Sequence, residues 1–309
     1  MAAFLQQASL NQPGVLKRPR VSLLVATLGV VLLVLGAPAS AQLIFSDDFE
    51  SGYADAWSAV VGALPVTAFR MDDLDLRDPH VVTDVPLLGC FDFTDQDIPL
   101  VAPSFNNSIE AAITTDDDGD GLLDASFMLL FRPLDEASAG DRLDSASGDC
   151  TAPLAGTTCV PAAPPTALVY QTQGSGLCLV TEPGSTSGYS PGIDEPSAPC
   201  FGTQATDLTV DLSGVPVTLR DASVAATFVG TEPPSSLMLG LLSGFLTEAD
   251  ADSILIPADT PLVGGQPLSV LLPGGTGNCS ASDDRDMHDG EMGWWFYLNF
   301  TALPAPWTE

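Results

Sequence analysis

The sequence predicts an all-β fold, a two-sheet antiparallel sandwich of jelly-roll type with long disulfide-pinned loops and at most one short helix. Two observations carry that expectation. Apolar and polar residues alternate in several runs, most clearly over 208–212 and 215–219, and alternation marks strands with one face in a core and the other in water. A stretch over 134–202 is rich in Pro, Gly, Ser and Thr yet holds four of the six cysteines, so it reads as loops stapled onto a fold rather than as disordered chain.

The chain opens with a polar leader carrying Lys17, Arg18 and Arg20, then an apolar run over 21–35, then Ala39-Ser40-Ala41, a small-x-small cleavage site. That is the pattern of a secretory signal peptide over residues 1–41. The apolar run is short of the roughly 20 residues a membrane helix needs, and no second run of that length follows. The expected mature chain is residues 42–309, one domain, secreted or periplasmic, with no membrane insertion after cleavage. Cleavage removes three of the nine basic residues and none of the 40 acidic ones, which takes the net charge from −31 to −34. Such a surface repels phosphate backbones, which excludes nucleic acid as a partner, and it repels anionic membrane surfaces for the same reason.

Cys90, Cys150, Cys159, Cys178, Cys200 and Cys279 all follow the leader. An even count in an exported chain implies disulfides. Six cysteines allow 15 pairings, among which the sequence alone does not choose; loop lengths make Cys150–Cys159 and Cys178–Cys200 the local expectation, leaving Cys90–Cys279 to tie the two ends of the domain. A thiolate metal site has neither Cys-x-x-Cys spacing nor a neighbouring histidine to support it.

In chain order, Phe49-Glu50-Ser51-Gly52 with Trp57 beyond resembles the Phe-Glu-x-Gly…Trp opening of secreted bacterial jelly-roll modules, carbohydrate-binding ones among them. The resemblance implies a first strand and a sandwich, and no binding residue is carried over with it. Residues 59–69 are apolar and β-prone, and Leu74 and Leu76 alternate with acids in 72–82, giving two strand signals. Asp92, Asp95 and Asp97 sit in a Pro-bounded connection. Residues 109–114 are expected to be a strand leading into an acidic loop. Residues 125–131 lead out of it and are apolar on both parities, as a central strand covered on both faces should be.

The acidic loop is Asp116-Asp117-Asp118-Gly119-Asp120-Gly121-Leu122-Leu123-Asp124. A hard cation needs a shell of oxygens, and carboxylates at alternate positions followed by a turning glycine supply one. Asp116, Asp118 and Asp120 would offer side-chain oxygens, Leu122 a backbone carbonyl and Asp124 a closing carboxylate, with calcium as the ion. A helix-flanked EF-hand would place a bidentate Glu at the twelfth position, where this chain has Phe127. The loop instead resembles the Asp-x-Asp-x-Asp-Gly-x-x-Asp loop of integrin-type FG-GAP repeats, which strands flank. That resemblance implies a calcium site in a β-hairpin loop.

Further on, residues 167–170 read as a strand, 208–212 and 215–219 as a hairpin, and 222–229 as another strand. Residues 237–246 are apolar but broken by Gly240 and Gly244, after which Thr247-Glu248-Ala249-Asp250 would cap the one short helix. Asp283, Asp284, Asp286 and Asp289 crowd around Arg285 and His288 and form a candidate second metal site. In the final strand, 294–301, period two puts Trp294, Phe296, Leu298 and Phe300 on a core face. Trp295, Tyr297 and Asn299 fall on the other face, as a candidate ligand platform.

The chain has no Gly-x-Ser-x-Gly elbow, no His-Glu-x-x-His, no phosphate loop and only two histidines, His80 and His288. The expected function is therefore that of an exported, non-catalytic calcium-binding protein. A carbohydrate-binding or adhesion module, with a glycan or cell-surface partner on Trp295 and Tyr297, is the first alternative. A calcium-dependent polysaccharide hydrolase using two facing carboxylates is the second.

Overall fold

The computed structural model describes residues 65–137, 139–212, 215–230, 233–258, 260–279 and 282–309. The leader, the Phe49-to-Trp57 opening and most of the 59–69 run lie outside them. The strands are β1 (Thr67–Asp78), β2 (Val82–Val85), β3 (Gly89–Asp92), β4 (Phe127–Arg132), β5 (Asp141–Cys150), β6 (Cys159–Pro161) and β7 (Thr166–Gln173). They continue with β8 (Cys200–Thr203), β9 (Thr206–Leu212), β10 (Val215–Val229), β11 (Ser236–Thr247), β12 (Asp286–His288) and β13 (Glu291–Pro304). Two helices, α1 (Phe105–Thr114) and α2 (Glu248–Ser253), and a 3-10 turn over Leu268–Val270 complete the described residues.

The all-β character is as expected, but the sandwich is not. Strands β1, β4, β5, β7, β8, β10, β11 and β13 pair in that order, each antiparallel to its neighbour, and β13 returns to pair with β1. The sheet is therefore a closed eight-stranded barrel. Closure runs through Phe69↔Pro304, Leu74↔Phe300 and Leu76↔Leu298. A sandwich and a barrel impose the same inside-outside alternation on each strand, and they differ in whether the first and last strands share hydrogen bonds. Here β1 is 12 residues long and β13 is 14, enough for each to serve two partners. Register shifts in β1, β10 and β11 give the sheet the local bends that closure needs.

Alternation then sorts the side chains. Leu129 and Phe131 of β4 point into the barrel, where Phe131 meets Phe69, Tyr170 and Phe201 edge to face at 5.0–5.9 Å. Met128 and Leu130 point outward onto a second cluster with Ala68, Ala146, Leu123 and the Cys150–Cys159 bridge. So β4 is covered on both faces, as its sequence implies. Trp294, Phe296, Leu298 and Phe300 lie in the barrel core as period two requires. All three disulfides form in the expected pairing, Cys90–Cys279, Cys150–Cys159 and Cys178–Cys200.

Several element expectations change. Residues 109–114 are the end of helix α1, not a strand: Asn106, Ile109 and Ile113 share its buried face at helical spacing, and the Ser104 hydroxyl accepts from the Asn107 amide as N-cap. With α2, which Thr247 does cap, the described residues hold two helices rather than one. β5 has a polar, small-residue sequence with no strand signal, and it forms because β4 and β7 pair with it on either side. Gly240 and Gly244 do not end the strand, although the register shifts just before Gly240. Both lie inside β11, and a Cβ on Gly240 would stand 2.5 Å from the Phe300 ring, so glycine is what lets that ring pack against the strand.

Candidate metal centre and buried acidic pair

Residues 116–124 join α1 to β4, so the loop sits between a helix and a strand and not in a β-hairpin. It is held at both ends. The Asp124 amide donates to the Thr115 carbonyl and the Ala125 amide to that of Ala112, while Leu123 inserts into the cluster beside Cys150 and Cys159. The Leu123 amide donates to the Cys150 carbonyl and the Ala152 amide to that of Gly121. That bridge runs through the neighbours of Leu122 and leaves the Leu122 carbonyl out of it.

Within this frame Asp116 organises the turn. Its carboxylate accepts from the amides of Gly119 at 2.8 Å, Asp120 at 3.1 Å and Gly121 at 3.0 Å. Asp118 accepts from the Asp120 amide and Asp120 from that of Leu122. Gly119 and Gly121 both have positive φ, 74° and 92°, which only glycine adopts without strain. Carboxylate oxygens of Asp116, Asp118 and Asp120 lie within 4.8 Å of one another. Asp124 stands outside that trio and accepts from the Asp117 amide at 3.1 Å. Burial and the charges of Asp117, Asp118 and Asp116 push its carboxyl above the usual carboxylate range. Among the described residues no arginine pairs with any acid of the loop. The donor set is all oxygen and anionic, which suits a hard divalent cation.

The second candidate site does not assemble from its four expected residues. Asp283 pairs with Arg285 at 2.8 Å, and Arg285 reaches Glu248 as well. Asp284 turns the other way, accepting from Tyr189 at 3.2 Å and from the Ser187 hydroxyl. Asp289 instead joins Asp221 and His288, whose ligating atoms lie within 4.8 Å of one another. Asp286, the one of the four within β12, is raised above the usual carboxylate range by burial and then by the charge of Asp284, while Asp283, Asp284 and Asp289 turn to three different sets of neighbours.

The platform residues are covered. Trp295, Tyr297 and Asn299 are 8%, 0% and 6% exposed. Leu179 and Ile193 from the segment between Cys178 and Cys200 pack on Trp295 and Tyr297. The Tyr297 hydroxyl accepts from the Glu182 amide at 2.9 Å, and Asn299 exchanges hydrogen bonds with the backbone of Asp194 at 2.8 Å each way. Aromatic bulk on a barrel's outer face is buried by whatever loop can reach it, and the disulfide holds this one in place.

One group of residues carries no sequence signal. Asp78, at the end of β1, is buried, and its carboxylate accepts from the Ser187 amide at 3.0 Å. Burial and the neighbouring Asp284 carboxylate, which also shares a hydrogen bond with it, push the Asp78 carboxyl up to about 8. Asp284 is raised too, first by burial. Beside them the Tyr189 ring stacks on His80 at 3.7 Å, and His80 Nδ1 meets Asp92 at 2.5 Å. A single buried aspartate in an acidic sequence looks like any other, so only the fold marks Asp78 out. No protein-family model, curated protein or solved structure matches this chain.

Proposed function

We propose that this is an exported, non-catalytic calcium-binding protein, in which the ion locks the connection between α1 and β4. The observation that supports it most is the convergence of Asp116, Asp118 and Asp120 in a loop that no arginine neutralises among the described residues. Asp124 is the closing carboxylate and Leu122 supplies the carbonyl, the two remaining donors of the set. A cation removes the mutual repulsion of these acids and stabilises the native state by mass action. Export is supported by the leader pattern and by three disulfides, which persist in oxidising compartments. No helix among the described residues is long and apolar enough to cross a membrane. Burial of Trp295 and Tyr297 weighs against a glycan platform, and Asp78 and Asp284 hydrogen-bond each other too closely to straddle a sugar linkage.

Thermal melting decides it. At calcium a hundredfold above Kd the gain is about 2.7 kcal/mol. For a domain of this size that raises Tm by roughly 5–10 °C over the value in chelator. Asp118→Asn should abolish most of that rise. Equal melting temperatures in calcium and in chelator would sink the proposal.

A further inference from the structure

At the end of the barrel where β1 finishes, a cavity of about 270 Å³ lies between the barrel mouth and covering residues drawn from 93–105, 256–257 and 260–272. Leu76 of β1, Val217 of β10 and Phe296 of β13 form its floor. Phe93, Ile98 and Val263 are among the residues that form its walls. Among the described residues no charged side chain lines it, and Thr83, Ser108 and Thr260 supply the only hydroxyls of the wall. A cavity of about 150 Å³ lined by such side chains stays dry and accepts benzene. Eight-stranded barrels have interiors wide enough to be filled by side chains or to hold one small ligand.

A second observation concerns the lip. Val101, which lines the cavity, is 42% exposed, and Leu100 beside it and Leu262 beside Val263 are exposed as well. Large apolar side chains left in water next to an apolar hollow form the kind of patch that marks a point of entry. Charge then narrows the ligand. A protein of net charge −31 repels anions, and a wall whose described residues carry no charge offers neither a cation nor an anion a partner against the cost of desolvation.

We propose that this cavity binds an uncharged, largely apolar small molecule, somewhat larger than benzene and bearing at most a hydroxyl or carbonyl group to meet Thr83, Ser108 or Thr260. The site is separate from the acidic loop, so its test is independent of calcium. The probe is N-phenyl-1-naphthylamine, an uncharged fluorophore, titrated into the disulfide-intact protein and then displaced by 1-decanol or by decanoate at pH 7. Saturable one-to-one binding is expected, with decanol displacing the probe at a concentration at least tenfold below that of decanoate. Ala102→Trp, which fills the cavity from its wall, should weaken probe binding at least tenfold with Tm unchanged, and Thr260→Trp at the lip should do the same. Probe uptake that never saturates, equal displacement by decanol and decanoate, or full binding by folded tryptophan variants would each overturn the proposal.

Discussion

Asp78 and Asp284 show what burial does to a carboxyl pair. Both are raised above the ordinary carboxylate range, first by burial and, for Asp78, next by the charge of Asp284. A raised folded-state pKa means that the native protein binds protons more tightly than the unfolded chain. The pair's contribution to stability is therefore complete below about pH 4, the range of a free aspartate, and is lost as pH climbs through about 8. Tm should fall between pH 5 and 9, and Asp284→Asn should flatten the fall and melt above the parent at pH 9. Parallel pH profiles for parent and variant would show that the pair does not titrate as described. Asp144 shows the opposite arrangement: fully buried between Arg132 and Arg142 at 2.6 Å from each, it is a paired charge, and the pairing makes its burial tolerable. The acidic loop is legible in sequence because its information is local: five aspartates, two glycines and their spacing lie within nine residues. The sequence hid the meeting of Asp78 and Ser187 with Asp284, because that depends on strands and loops that are distant in the chain.

Helix α1 and strand β11 are the elements whose identity or continuity the pattern misleads on. In α1, Ile109 and Ile113 fit either a short strand or one face of a helix, and the deciding signals are Ser104 as N-cap and the Asp97 carboxylate accepting from the Ser104 amide and from Asn107. The Arg70 guanidinium of β1 then donates to the Ile113 carbonyl at the helix end, a favourable place for a cation. In β11, Gly240 reads as a breaker until Phe300 is seen lying on it. Gly240→Val should cost about 1–3 kcal/mol through overpacking. Phe300→Leu in the same chain should recover part of that loss, because the two changes share one contact. Urea denaturation of the single and double variants measures both, and strictly additive losses would refute the contact. The hairpin of β9 and β10, by contrast, was legible because its alternation is regular: Leu208 pairs with Leu219 and Val210 with Val217, all four buried.

At the scale of the molecule, closure of the barrel and the long disulfide act on the same problem, the distance in sequence between β1 and β13. Cys90–Cys279 spans 189 residues and ties the β2–β3 hairpin to the loop that precedes β12. Cross-links that close long loops remove the most freedom from the unfolded chain. The Cys90→Ser, Cys279→Ser double variant should lose about 2–5 kcal/mol in chemical denaturation. The Cys150→Ser, Cys159→Ser pair, which closes a loop with a separation of 9, should lose less in its unfolded-state term. By itself the sequence determined the all-β class, the preference for the two short-range disulfides, the core face of β13, the two-sided burial of β4 and the spacing of the acidic loop. Each of these follows from side-chain period or loop length over a short span. Only the tertiary structure decided that the sheet closes, that a helix leads into the acidic loop, that Trp295 and Tyr297 lie beneath the 178–200 segment, and that an apolar cavity remains at the barrel mouth. Those outcomes depend on which distant strands and loops meet, and alternation along one strand is the same whether its sheet ends at an edge or returns to its first strand.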